Sequence, residues 1–233
     1  ERFFGPRAGE NFDAAALVSG IDADGGWSRH EILDAYLKWH PVCAHLGPML
    51  DCVMALEARL GPFSEHTITD VEVAIYSTAL QYNAPVPAND LAARFSFATV
   101  AALALIEGGV RFDSFSPDRF SRPEVQTLAS RVRLVADPAL AARYPAQRPT
   151  RVTLTLDGQR REMAEVRVPK GDGAAALSEA DVRLKADRVL SHVWGRHHGA
   201  AVADLVWTIA EGVETTFVPQ LAMLLRKPVN PQD

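Results

Sequence analysis

Lys38-Trp39-His40-Pro41-Val42-Cys43-Ala44-His45 runs directly into an apolar stretch, Leu46 to Leu60, and this junction decides how the chain is read. Its first eight residues place a lysine, two histidines and a thiol around one proline. Pro41 disfavours helical geometry at His40, so a break falls there. Beyond it Leu46, Met49, Leu50, Val53, Met54, Leu56 and Leu60 recur at helical spacing. That spacing predicts a helix with one face in a core, stopped by Gly61-Pro62.

Toward the C-terminus, Ile68 to Leu80 is rich in Val, Ile, Thr and Tyr, with Val71, Val73 and Ile75 alternating. A strand ending near Tyr82 is expected. Asn83 to Pro87 reads as a rigid turn. Asn89 reads as the N-cap of one helix running to Glu107 and closed by Gly108-Gly109. That helix is apolar nearly all round after Arg94 and should be central and buried. Pro117 and Pro123 open short helical pieces, the second reaching about Arg131, before a strand at Val132–Val135. Arg151 to Leu156, the turn Asp157-Gly158 and Glu162 to Val168 form the clearest hairpin. Ser178, with Asp181 three residues on, starts a helix to about Ser191. Gly195-Arg196-His197-His198-Gly199 reads as a break. Ala200–Ile209 and Val213–Leu225 read as final helices, with Pro219 kinking or dividing the second.

Toward the N-terminus, residues 1–26 read as a connector with a short helix over Asp13–Ser19. Trp27–Trp39 suits a helix, or a short strand at Ala35–Trp39. The expected organisation is a connector at 1–26, an α+β domain at 27–176, C-terminal helices at 177–227 and a tail at 228–233. Helices mixed with strands and a hairpin, without internal repeats, indicate an α+β fold: a hairpin-containing sheet packed on helices.

Composition narrows the function classes. The chain has 233 residues, 48% apolar and 23% charged, with a net charge of −5 and no basic stripe. Nucleic-acid and membrane-surface partners are not expected. Phe97 to Ile106 is about half the roughly 20 residues of a membrane span. Cys43 and Cys52 are the only cysteines, which points to a reducing, cytoplasmic compartment. No G-x-S-x-G, G-x-x-x-x-G-K-[ST] or G-x-G-x-x-G after a strand occurs, so serine hydrolase, P-loop and Rossmann readings lack support.

The candidate residues cluster at the opening stretch. Lys38 is flanked by Trp39 and Pro41, which limit its solvation and suit it to anchor a carboxylate. Cys43 reads either as a buried structural thiol or as a site residue. His40, Cys43 and His45 match no standard zinc spacing, so no metal is expected. Arg94, opening the buried helix, could hold a carboxylate, cap the helix or form a salt bridge. Tyr82, with Gln81 competing in register, stands at the expected strand end.

Lys38-x-x-Pro41-x-Cys43, followed by Leu50-Asp51 and an apolar helix, resembles the lysine–proline–cysteine segment of the MmgE/PrpD family. That family includes 2-methylcitrate dehydratase, cis-aconitate decarboxylase and iminodisuccinate epimerase. Asn83-x-Pro-x-Pro87, then Ala93-Arg94-Phe95-Ser96 and a helix ending at Gly108-Gly109, is similar to the family's central block. Val132 with Asp137-Pro138, Val152–Leu156 before Asp157-Gly158, and Pro169-Lys170-Gly171-Asp172 are similar to its later segments.

The resemblance covers roughly residues 20–190 and implies the lid domain of that family. A helical N-terminal half, in the same gene or as a separate chain, would complete the site. It implies a cofactor-free lyase or isomerase on a small di- or tricarboxylic acid, and a homodimer. Dehydration of the 2-methylcitrate type is the first choice, with decarboxylation or epimerisation next. Lys38 matches the family's active-site lysine and Tyr82 resembles a tyrosine lining its pocket. Lys38, Cys43 and Arg94 would bind substrate; Lys38, His45 and Tyr82 would be catalytic. Many members carry a histidine four residues after the cysteine; here that position is Gly47, and His45 comes two residues early. That departure leaves a competing expectation, a non-catalytic binding or dimerisation module of the same fold.

Overall fold

Pro41 and Gly61 delimit the first long helix. Leu46 N–H donates to Cys43 O (2.9 Å), closing a tight turn at Ala44–Leu46. Helix α1, Gly47–Leu60, follows with Pro48 in its first turn, where no N–H is required. Gly61, at φ 86°, returns its N–H to Glu57 O at 2.8 Å. Leu46, Met49, Leu50, Val53 and Leu56 are fully buried on one face, as the spacing predicts, and Cys52 joins them. Met54, at the edge of that face, is exposed, and Leu60, the last residue of the helix, is only partly buried. The structure, a computed structural model, describes residues 35–63, 66–84, 86–210 and 217–226, with single positions at 13, 15, 19–21, 26 and 212. Glu1–Tyr36 and Leu37–Asp233 form two compact units, and every element named here lies in the second. Most of Asp13–Ser19, and residues 27–34, lie outside the described residues. Ala35–Lys38 is neither helix nor strand.

Strand β1, Ile68–Ile75, is shorter than expected. Tyr76 ends it, and Ser77–Leu80 forms a single helical turn, α2. Sheet pairing stops at Ile75, opposite Ala136 and Thr150, and the last β1–β2 ladder bond runs from Asp137 N–H to Ile75 O (2.9 Å). The helix expected over 89–107 is two helices. Asn89 caps α3, Asp90–Ala93, and Ser96 caps α4, Phe97–Glu107, its hydroxyl accepting from Thr99 N–H. The break lies at Arg94–Phe95, where turn hydrogen bonds replace the helical ladder. Helix α4 is buried as expected: Phe97 and Thr99 through Leu105 are all inside.

Short helices α5, Pro117–Phe120, and α6, Pro123–Ala129, lead to β2, Val132–Ala136. Helix α7, Pro138–Ala141, is capped by Asp137. The expected hairpin forms: β3, Thr150–Leu156, and β4, Arg160–Val166, joined through Asp157 (φ 50°) and Gly158 (φ 76°). The loop is three residues, Asp157-Gly158-Gln159, because Leu156 pairs with Arg160, so β4 begins two residues earlier than expected and ends at Val166. The sheet order is β2-β1-β3-β4, with β2 parallel to β1 and the other pairs antiparallel. Helix α1 packs on β3 and β4, and α4 packs on α1, α6 and β2, so the core lies between this helical layer and one face of the sheet. The fold is α+β with a mixed four-stranded sheet.

A reciprocal capping box at Ser178 and Asp181 starts α8, Glu179–Trp194. Gly195 alone makes the break, and α9 runs Arg196–Ala210, so Arg196-His197-His198 are helical rather than a loop. Helix α10 is Phe217–Leu225. Residues 213–216 of the expected helix lie outside the described residues; in Phe217–Leu225 Pro219 stands in the first turn, where the missing N–H has no helical partner.

Cys52 is fully buried, with its thiol on Thr150 O at 3.3 Å. Burial pushes this thiol up to about 12. A thiolate is the reactive form, so Cys52 should resist alkylation in the native protein and react only after denaturation. Half-buried Cys43 should react first. Peptide mapping after iodoacetamide treatment checks this; native labelling of Cys52 at the rate of Cys43 would contradict it.

Candidate active site

The turn at Ala44–Leu46 presents His45 to the far end of β1. Its Nδ1 lies 2.5 Å from Tyr76 Oη. Its ring stacks on Tyr82, with centroids 4.8 Å apart and planes 10° apart. Tyr144 completes the group, stacked on Tyr76 at 4.4 Å and 6.4 Å from the imidazole centroid. Each tyrosine follows the end of an element: Tyr76 after β1, Tyr82 after α2, Tyr144 after α7. Chain reversals there gather three phenols around one imidazole.

Burial, with the nearby Arg148 guanidinium, holds the His45 pKa below its ordinary 6.5. Arg148 Nη1 donates to Asp172 Oδ2 at 2.6 Å, which fixes this cation beside the cluster. The result is a neutral imidazole next to a positive charge. Such an imidazole suits proton abstraction: the ring stays in its base form, because the guanidinium, itself held by Asp172, disfavours a second positive charge beside it. Tyr82 is exposed, so the cluster opens to solvent on that side.

The other expected site residues lie as follows. Lys38 is exposed, and its carbonyl accepts from the ammonium of Lys185. Cys43 N–H donates to Arg94 O at 3.1 Å, making these two neighbours. Arg94 donates to Pro41 O (2.8 Å) and Phe112 O (3.0 Å) and lies 4.6 Å over the Phe115 ring. In this arrangement the Arg94 guanidinium holds the backbone of the opening stretch. His40 Nε2 pairs with Asp51 Oδ1 (2.8 Å), and Asp51 Oδ2 accepts from Lys170 N–H (2.8 Å). Asp51 therefore pins both the opening stretch and the Pro169–Gly171 loop to α1. A Cβ at Gly47 would meet Pro169 Cβ at an ordinary 3.8 Å.

The structure thus brings His45 together with Tyr82, and Cys43 with Arg94, while Lys38 stands beside Lys185. Sequence reading missed Tyr76, Tyr144 and Arg148. Tyr76 looked like the interior of a strand. Tyr144 and Arg148 lie in a segment with no periodicity, and nothing local marks them. Among the described residues, no group of three His, Cys, Asp or Glu side chains could hold a metal ion, and no helix is long and apolar enough to cross a membrane.

No curated protein matches the chain. The family model for the MmgE/PrpD C-terminal domain matches residues 40–209, a span that begins just past Lys38 and contains His45, all three clustered tyrosines and Arg148. The fold, the order of its elements and this match together place the chain in the MmgE/PrpD family, whose C-terminal domain it carries.

Proposed function

We propose that this chain is the lid half of a cofactor-independent lyase or isomerase of small di- or tricarboxylic acids, with dehydration of the 2-methylcitrate type as the leading reaction. The observation that carries the reading is the neutral His45 imidazole, hydrogen-bonded to Tyr76 and stacked on Tyr82, beside the Arg148 cation. Such enzymes act on a carbon next to a carboxylate, so they need a base for its proton and cations for the charge that develops.

We take the His45 tautomer in which Nδ1–H donates to Tyr76 Oη, which leaves the Nε2 lone pair to act as the base. Nε2 takes a proton from the carbon beside a substrate carboxylate, whose enolate-like charge is stabilised by Arg148, while Lys38, beside Lys185 and outside the tyrosine cluster, anchors a more distant carboxylate of the substrate. Loss of hydroxide from the adjacent carbon, protonated by an acid such as Tyr82 or a group of the helical half, gives an alkene and water. Returning the proton to the opposite face instead gives epimerisation. Cys43 lines the substrate's path, and Arg94 positions the Pro41–Cys43 backbone. The partner is a helical MmgE/PrpD half, in the same gene or separate. The assembly is a cytoplasmic homodimer.

The chain alone is expected to show little turnover, and the chain co-expressed with a helical MmgE/PrpD half to gain it. Formation of the unsaturated acid from 2-methylcitrate and related hydroxy acids measures this. Dehydratase, decarboxylase or epimerase activity from the isolated 233 residues would refute the split site. Unchanged activity of Lys38→Ala in the assembly would remove Lys38 from the site. Gly47, standing where many family members have histidine, favours a second reading as a non-catalytic module. A stable complex with the helical half, but no turnover on any acid tried, is its signature.

A further inference from the structure

We propose that the cavity between α8 and the turn after α4 is a binding site for a small amphipathic anion: a carboxylate or phosphate monoester carrying an aromatic or branched apolar body. The cavity holds about 490 Å³, within the range of small-molecule sites. Trp39, Pro41, Met54, Val110, Phe112 and Val189 supply its apolar walls.

Its charges are unbalanced in a specific way. Two acids line it, and both are already engaged. Glu107 accepts from Arg122 (2.7 Å) and Ser114 (2.8 Å), with Arg119 at 3.6 Å. Asp113 pairs with Arg119 (3.3 Å) and Arg111 (3.5 Å). Lys185 and Arg188 also line the cavity. Three residues apart on α8, they share a helix face, and neither has an acidic partner among the described residues. Lys185 reaches only the Lys38 carbonyl, and Arg188 lies 5.6 Å over the Trp39 ring. Burial and the neighbouring Lys38 charge hold Lys185 below the usual lysine range. An anion here would relieve that repulsion.

The two halves of the ligand follow from the two halves of the lining. Unpaired cations beside low-dielectric walls attract an anion more strongly than they would in open water. The rings and aliphatic walls favour an apolar body over a hydrated inorganic ion. The site stands independently of any reaction at His45, because none of its lining residues belongs to the tyrosine cluster.

Titration calorimetry of the full chain with phenyl phosphate tests this, with inorganic phosphate and benzyl alcohol as the separated halves and benzoate as the carboxylate arm. Phenyl phosphate or benzoate should bind with saturable heat, and each separated half at least about tenfold more weakly. Whichever of the two binds more tightly identifies the head group. Arg188→Gln and Lys185→Gln, both on the outer helix α8, should each weaken binding about tenfold. Val189→Phe should abolish binding by filling the cavity without changing charge, with circular dichroism confirming an intact fold. The proposal is overturned if neither ring-bearing anion gives saturable heat at millimolar concentration, if inorganic phosphate binds as well, or if the Lys185→Gln/Arg188→Gln double variant binds phenyl phosphate unchanged.

Discussion

His45→Ala, assembled with a helical MmgE/PrpD half, should lower turnover by about 10²–10⁴-fold, the usual worth of a positioned general base. The loss should fall mainly on kcat, because carboxylate binding is left to groups other than the imidazole. His45 is half-buried at a turn, so melting should change little. The pH profile adds a readout that a packing role would not move. With the His45 pKa held below 6.5 by burial and Arg148, the imidazole stays in its base form at lower pH than a free histidine would. The acid limb should therefore fall below pH 6.5 in the wild type, and Arg148→Gln should shift it upward. Near-normal kcat for His45→Ala, or an acid limb indifferent to Arg148, would remove His45 from the reaction.

The second large effect is structural and reaches the same region. Gly171 has φ 96°, and a Cβ there would lie 1.9 Å from Leu37 O. Gly171 O accepts from Leu37 N–H at 3.1 Å, so this glycine locks the residues leading into Lys38 onto the Pro169–Ala175 loop. Gly171→Ala must push the two backbones apart. Strained backbone alone costs about 1–3 kcal/mol, and the overlap adds to it. At roughly 2–4 °C per kcal/mol for a domain of this size, melting should fall by about 6–12 °C. Gly158→Ala is the control. It has a similar positive φ of 76° but nothing within 4 Å, so it should cost only about 1–2 kcal/mol. Equal melting temperatures for the two variants would show that the Leu37–Gly171 contact does not constrain the chain.

These two sites differ in how far they could be read from the amino-acid order. Gly171 lies in Pro169-Lys170-Gly171-Asp172, a segment that resembles the family, yet nothing in it names Leu37 as its neighbour. His45 was a candidate from the start, but its meaning depends on Tyr76, Tyr144 and Arg148. Tyr76 was hidden because β-propensity alone carried the strand past Ile75, whereas both neighbouring strands stop pairing there and the chain turns into Ser77–Leu80. The same kind of override split the 89–107 helix: no glycine or proline interrupts it, but Arg94 turns to hold Pro41 and Phe112, and Ser96 caps a new start.

What the amino-acid order determined by itself is what short-range physics controls. The helical spacing from Leu46 to Leu60, the Asp157-Gly158 hairpin turn, the caps at Asn89 and Ser178 and the α+β class all follow from residues a few positions apart. What only the tertiary structure decided is which distant groups share a field. It made His45 a neutral imidazole beside Arg148, turned Arg94 toward backbone carbonyls and set Lys38 next to Lys185 rather than in the tyrosine cluster. A pKa or an ion pair depends on burial and on separations of a few ångströms. Those exist only once the sheet and its helices have brought residues far apart in the chain into contact.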